Sequence, residues 1–281
     1  LETKELGVKE TKPLTFRVQR YDPDQDREPY LQDFTVPAYD GMTVLEGLWY
    51  IKEHLDGSLA FRSSCRMGIC GSCGMYINKF PRLACHTQTF ELHAEVIEVK
   101  SLPNYGVVRD LVPDLRPMLD KHRSVKPYIM RPGEEDEVDH ATGEYLQTPA
   151  QLESFLQFAY CLKCGICMAA CPTVATDGEF LGPQPLGQTY RYNADNRDDA
   201  SAARLSIIDS PHGVWRCHMA GACSDACPKG VDPALAIQLL KKQSVKQALG
   251  IGRKEERAKV VGGQTGAQRR PNIPEAPPRT I

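Results

Sequence analysis

Over the first hundred positions, apolar residues alternate with polar ones in short stretches that break at clusters of turn formers. Thr15-Phe-Arg-Val-Gln-Arg20 alternates as a half-buried strand does, and Leu31 to Val36 reads as its partner across a polar turn at Asp22–Glu28. Thr43-Val-Leu-Glu46 is a capping-box pattern that opens a helix to Glu53, with Val44, Leu45 and Leu48 facing inward. Met75-Tyr-Ile77 and Arg82-Leu-Ala84 form a hairpin about Asn78–Pro81, and Val96-Ile-Glu-Val99 is a closing strand. Two strands, a crossing helix and further strands predict a β-grasp sheet. The charged residues 1–13 are a loose lead-in.

The pattern changes at Pro103–Tyr105, where strand alternation gives way to helical spacing. Val107 to Leu119 carries apolar residues at helical intervals, interrupted by Pro113 and Pro117. Arg131 to Glu144 is acidic and bears Pro and Gly, as a surface loop does. Thr148-Pro149 supplies a cap and a first-turn proline for a helix to Tyr160. Pro183 to Tyr192 and Ala200 to Ile208 are helices joined through Asp195–Asp199. Asp232-Pro233 caps a last helix to Leu249, with Leu235, Ile237, Leu239 and Leu240 as its apolar surface. From Gly250 the composition shifts to Gly, Pro and Arg, which cannot bury a core and predicts a disordered tail or an arm on a partner. The resulting division is 1–105, 106–249 and a tail at 250–281.

Length changes this picture little: 281 residues suffice for two domains with modest cores. A net charge of −2 and a pI near 6.4 argue against a nucleic-acid partner. No run approaches the 18 apolar residues of a membrane span, and no signal-peptide pattern is present. The chain begins at Leu1, so an upstream segment could have preceded it. The cysteines matter more. There are eleven, an odd number, grouped in runs, which does not resemble a secreted disulfide framework. A reducing compartment fits them.

Cys161-Leu-Lys-Cys164-Gly-Ile-Cys167-Met-Ala-Ala-Cys171-Pro172 has the bacterial ferredoxin spacing, in which three thiolates hold one cubane cluster and the fourth ligates a different one. A short helical turn after Cys161 would gather the sulfurs, and Pro172 keeps the last cysteine from folding back. Soft, charged thiolates suit iron through a one-electron change. The required second run is Cys217-His-Met-Ala220-Gly-Ala-Cys223-Ser-Asp-Ala-Cys227-Pro228, which starts 56 residues later. By the crossing rule Cys227 joins Cys161, Cys164 and Cys167 on a 4Fe-4S cluster, and Cys171 joins Cys217 and Cys223. Ala220 stands where the second run needs a ligand, so three thiolates predict a 3Fe-4S centre.

A third group, Cys65, Cys70, Cys73 and Cys85, has the plant-type spacing of a 2Fe-2S cluster. Gly68, Gly71 and Gly74 allow positive φ, so that backbone N–H groups can turn toward the sulfides. The alternative, a four-cysteine zinc site, favours shorter paired intervals without this glycine load. A zinc-stabilised scaffold would also be colourless. The three sets use all eleven thiols. No Ser-His-Asp set, P-loop or G-x-G-x-x-G stands beside them, which implies a carrier of single electrons between two-electron partners. The predicted fold class is α+β: an amino-terminal β-grasp plant-type 2Fe-2S ferredoxin domain, then a mostly α-helical bacterial-type ferredoxin domain.

Arg62-Ser-Ser-Cys65-Arg-Met-Gly68-Ile-Cys70-Gly71, Gly213-Val-Trp-Arg-Cys217 and Cys227-Pro-Lys-Gly-Val-Asp-Pro233 resemble the iron–sulfur subunit of succinate dehydrogenase and fumarate reductase, over roughly residues 12–250. The resemblance implies a path from a flavoprotein subunit with covalent FAD, through the three clusters, to a quinone at a membrane anchor, which could carry haem. Pro172, Thr173, His218 and Lys241 match residues beside the quinone. Ala175 and Thr176 replace the tryptophan of ubiquinone-type relatives. Gly182-Pro183, Tyr190-Arg-Tyr-Asn193 and Gly213-Val-Trp215 lean toward bacterial fumarate reductases, so menaquinone is the preferred quinone. The implied location is the cytoplasmic face of a bacterial inner membrane, or alternatively the matrix face of the mitochondrial one. The implied activity is succinate dehydrogenase, with fumarate reductase as the same path reversed. A thiol-linked fumarate reductase would lack the membrane dock but carry further cysteine-rich segments, and none follows Cys227.

Overall fold

The computed structural model describes residues 11–131, 143–251 and 260–262. Strands β1 (Thr11–Arg20) and β2 (Tyr30–Tyr39) pair antiparallel with Phe16 opposite Phe34. Both are longer than their alternation suggested, and Thr11–Pro13 belongs to the strand rather than a lead-in. Helix α1 (Val44–Tyr50) starts at the expected capping box. Thr43 Oγ1 accepts from Glu46 N at 3.2 Å, and the Glu46 carboxylate accepts from Thr43 N at 2.7 Å, a cap worth about 1 kcal/mol. The helix continues as a π-helical turn, Ile51–Leu55. Gly47 rests on Phe16 so closely that a Cβ there would lie 2.3 Å from the ring.

Strands β3 (Gly74–Ile77) and β4 (Phe80–Leu83) form the hairpin. Its turn is tighter than expected: Asn78 and Lys79 both take positive φ, 46° and 64°, the two-residue geometry that matches strand twist. Phe80 and Pro81 are therefore strand residues. With β5 (Val96–Lys100) the sheet order is β2-β1-β5-β3-β4, with β1 and β5 parallel. Leu14, Phe16 and Val18 pack with Val44, Leu45, Leu48 and Ile51 in the first core.

The stretch expected to be helical from Val107 to Leu119 is instead a hairpin, β6 (Val107–Arg109) and β7 (Val112–Pro113), followed by α2 (Arg116–Ser124). Asp110 decides this. It turns the chain at φ 45°, and its buried carboxylate accepts from Tyr21 N at 2.8 Å, Ala60 N at 2.7 Å and Arg20 Nε at 3.1 Å. A helix could not deliver that carboxylate to the first sheet.

Strand β8 (Gly143–Tyr145) pairs antiparallel with β9 (Val260–Gly262). These three tail residues therefore lie on their own chain. The remainder of the tail from 252, the lead-in at 1–10 and most of the acidic loop lie outside the described residues. Helix α3 (Pro149–Ala159) has its capping box at Thr148 and Gln151. It is followed by the short helices α4 (Ile166–Ala169) and α5 (Pro172–Thr176), then α6 (Pro183–Asn193), α7 (Ser201–Ile208), α8 (Ala222–Asp225) and α9 (Pro233–Ala248). Almost wholly buried, α6 packs against α9, α3, α2 and α7. Leu186, Leu205, Ile208, Ile237 and Leu240 meet in the second core with Cys167, Cys171 and Cys223, while Leu235 stays exposed. Arg204 on α7 is buried and pairs with both oxygens of buried Asp198 at 2.6 and 2.8 Å, while also donating to the Lys126 and Tyr128 carbonyls. No helix among the described residues is long and apolar enough to cross a membrane.

Candidate metal centres

The first cysteine loop leads into β3, and the β3–β4 hairpin returns Cys85 to it. Ala84 N donates to the Cys73 carbonyl at 3.0 Å, and Cys85 N lies 3.5 Å from Cys73 Sγ. Backbone N–H groups turn toward sulfur throughout. Ile69 and Cys70 reach Cys65 Sγ at 3.3 and 3.2 Å, Gly68 reaches Cys85 Sγ at 3.3 Å, and Ser72 reaches Cys70 Sγ at 3.4 Å. Gly68 and Gly71 supply the positive φ, 70° and 74°, helped by Arg66 at 56°. Gly74 does not. It sits in β3, where a Cβ would press on the Cys164 carbonyl, Ile166 and Leu102, each at 3.4 Å; its bareness serves packing between the two cysteine loops.

The thiols differ by environment. Hydrogen bonds, first from Ser72, bring Cys70 down to about 6, while burial pushes Cys73 up to about 12. A buried thiol of that kind ionises when a metal ion supplies the compensating charge. Such donor-rich, thiol-only surroundings fit an iron–sulfur group.

In the second half, Cys161, Cys164, Cys167 and Cys227 line one cavity together with Gln184 and Gln188. Burial raises the thiols of Cys161, Cys164 and Cys167, that of Cys164 to about 11. The helical turn expected after Cys161 begins only after Gly165, which caps α4 at φ 83°. Cys171 does not line that cavity and is buried in the second core. The Cys223 thiol is pushed up to about 11, first by burial and then by the charges of Cys171 and Cys217. Met219 N lies 3.4 Å from Cys217 Sγ, and Val231 N the same distance from Cys227 Sγ. Among the described residues, no three His, Cys, Asp or Glu side chains converge as a single-ion site.

The four expected quinone contacts surround the Cys171–Cys217 side. Pro172 is exposed at the first position of α5 and Thr173 is buried behind it. His218 is exposed, with Nε2 3.4 Å from Arg216 Nη1. Lys241 Nζ donates to the Cys217 carbonyl at 3.1 Å. Arg216 in turn holds Asp177 at 2.8 Å, and with His212 keeps its carboxyl far below the usual range. Trp215 is half exposed beside them.

Sequence reasoning missed the residues that join the two halves. Asn104 Nδ2 lies within 3.3 Å of the carbonyls of Met168, Ala169 and Cys171, and Tyr105 OH donates to the Gly165 carbonyl at 3.0 Å. No spacing marks either residue. Gly71 is the tightest junction: a Cβ there would lie 2.6 Å from Cys164 Cβ.

A β-grasp sheet with four loop thiols, followed by a helical unit with two cysteine runs, defines an iron–sulfur protein of the multi-cluster electron-transfer class. Residues 15–120 match the 2Fe-2S iron-sulfur cluster binding domain family and residues 157–231 the 4Fe-4S dicluster domain family. The chain is 46% identical to the fumarate reductase iron-sulfur subunit of Mycobacterium tuberculosis, across 84% of this chain and 94% of the relative. It is 43% identical to that of Haemophilus influenzae (83% and 93%) and 42% identical to that of Escherichia coli O6:H1 (85% and 96%). The solved Mycobacterium smegmatis Sdh1 complex in the apo form contains a chain that superposes with a TM-score of 0.76 at 26% identity, across 85% of this chain and 98% of that one. The chain belongs to the iron–sulfur subunit family of succinate dehydrogenase and fumarate reductase.

Proposed function

We propose that Cys65, Cys70, Cys73 and Cys85 hold a 2Fe-2S cluster, Cys161, Cys164, Cys167 and Cys227 a 4Fe-4S cluster, and Cys171, Cys217 and Cys223 a 3Fe-4S cluster. The observation that supports this reading is that Cys227 lines one cavity with Cys161, Cys164 and Cys167, while the charges of Cys171 and Cys217 act on Cys223. When bound, the clusters accept and release one electron at a time. The chain's own part is to hold them close, dry and surrounded by N–H donors. Gly71 lets the first loop meet Cys164, and Asn104 and Tyr105 lock the ligand helix α4 to the linker.

The partners in this reading are a flavoprotein subunit with FAD, a membrane anchor and a quinone, with menaquinone preferred. Pro172, Thr173, His218 and Lys241 form this chain's side of the quinone site, and the complex lies on the cytoplasmic face of a bacterial inner membrane. The proposed activity is electron transfer from succinate to quinone. Quinol-driven fumarate reduction is the second reading, favoured by the names of the relatives at 42–46% identity. Assays of both directions on one membrane preparation test them. Faster succinate-driven quinone reduction supports the first, and faster quinol-driven fumarate reduction replaces it with the second.

A further inference from the structure

The cavity of Cys161, Cys164, Cys167 and Cys227 is closed on one side by the start of α6, which presents Gln184 and Gln188 to it. Gln188 has a structural task, since its Nε2 donates to the Phe158 carbonyl at 3.1 Å. Gln184 has none of that kind. It is 2% exposed, and its Oε1 is buried with no hydrogen-bond partner. An amide kept with an orphaned oxygen costs stability that Leu or Met would not.

Its nitrogen has one partner: Gln184 Nε2 lies 3.2 Å from Nδ1 of buried His122 on α2. An amide nitrogen carries two hydrogens, so one remains for the cavity that Gln184 lines together with Cys161. Burial, then the charges of Lys163 and Arg123, brings His122 down to about 4. The ring is therefore neutral near pH 7, with a nitrogen free to accept.

We propose that Gln184, oriented by His122, donates to the Cys161 sulfur and raises the reduction potential of the group held by Cys161, Cys164, Cys167 and Cys227. A donor on a ligand sulfur stabilises the more negative, reduced form of such a group. Gln184 is the tuning residue, and His122 is a positioning residue acting through it. The inference rests on the four-thiol assignment above.

The test is an EPR-monitored redox titration of the membrane complex. Gln184→Leu shifts the midpoint of the 4Fe-4S signal to lower potential and leaves the 2Fe-2S midpoint in place. His122→Phe shifts it the same way, and the double variant shifts no further than Gln184→Leu. Where Gln184→Leu loses the group, the better volume match Gln184→Met reads the same shift. An unmoved midpoint at full iron content, a shift shared by all centres, or additive single-variant effects would overturn the proposal. An unsubstituted complex without any 4Fe-4S signal would instead overturn the thiol assignment.

Discussion

Ala220 occupies in the second cysteine run the place that Cys164 occupies in the first, in the same local backbone. Lys163 and Gly165 flank Cys164 at φ 55° and 83°, and Met219 and Gly221 flank Ala220 at φ 59° and 79°. Each glycine then caps a one-turn helix, α4 or α8. The backbone for a fourth ligand is thus present and only the sulfur is missing. Ala220→Cys is expected to replace the oxidised-state 3Fe-4S EPR signal with that of a reduced 4Fe-4S centre. Persistence of the three-iron signal in a fully loaded variant would mean that something other than the missing thiol sets the cluster type.

The approach of Gly71 to Cys164 separates two costs of adding a side chain. Gly68→Ala and Gly71→Ala both force an L residue into positive φ, about 1–2 kcal/mol each. Gly68 would meet only the His86 ring at 3.5 Å, whereas Gly71 would drive into Cys164 Cβ. Thermal unfolding should therefore show the larger loss for Gly71→Ala. Equal losses would remove the tight junction between the loops.

Much of this was legible because cluster ligation is written in spacing, and because strands packed on one face must alternate. Phe16 and Val18 announced themselves in that way. The hairpin at 107–113 did not, since helical spacing there was overruled by one buried carboxylate, Asp110, whose partners Tyr21, Ala60 and Arg20 are remote in sequence. Gln184, His122 and Asn104 were invisible for the same reason. Each is a single polar residue whose role exists only once the chain is folded.

Arg204 and Asp198 form a buried pair with further hydrogen bonds to the Lys126 and Tyr128 carbonyls and from Met130 N and Ala200 N. Removing one partner leaves an uncompensated buried charge, so Arg204→Met should destabilise the fold by about 3–5 kcal/mol. Adding Asp198→Asn should recover part of that loss. Denaturant titration checks both, and a loss under about 1 kcal/mol, the range of an exposed pair, would contradict the burial argument.

His218 is exposed one residue from Cys217 and touches only Arg216 among the contacts described above. His218→Ala is expected to lower quinone reduction at least several-fold while leaving succinate-driven reduction of an artificial dye near its original rate. Equal loss in both assays would remove His218 from the quinone site.

Interleaved ligation is tested most directly by EPR of a Cys171→Ala complex. The oxidised-state 3Fe-4S signal should disappear while the reduced 4Fe-4S signal remains, although Cys171 lies only four residues from Cys167. Loss of the 4Fe-4S signal with the 3Fe-4S signal intact would contradict the account.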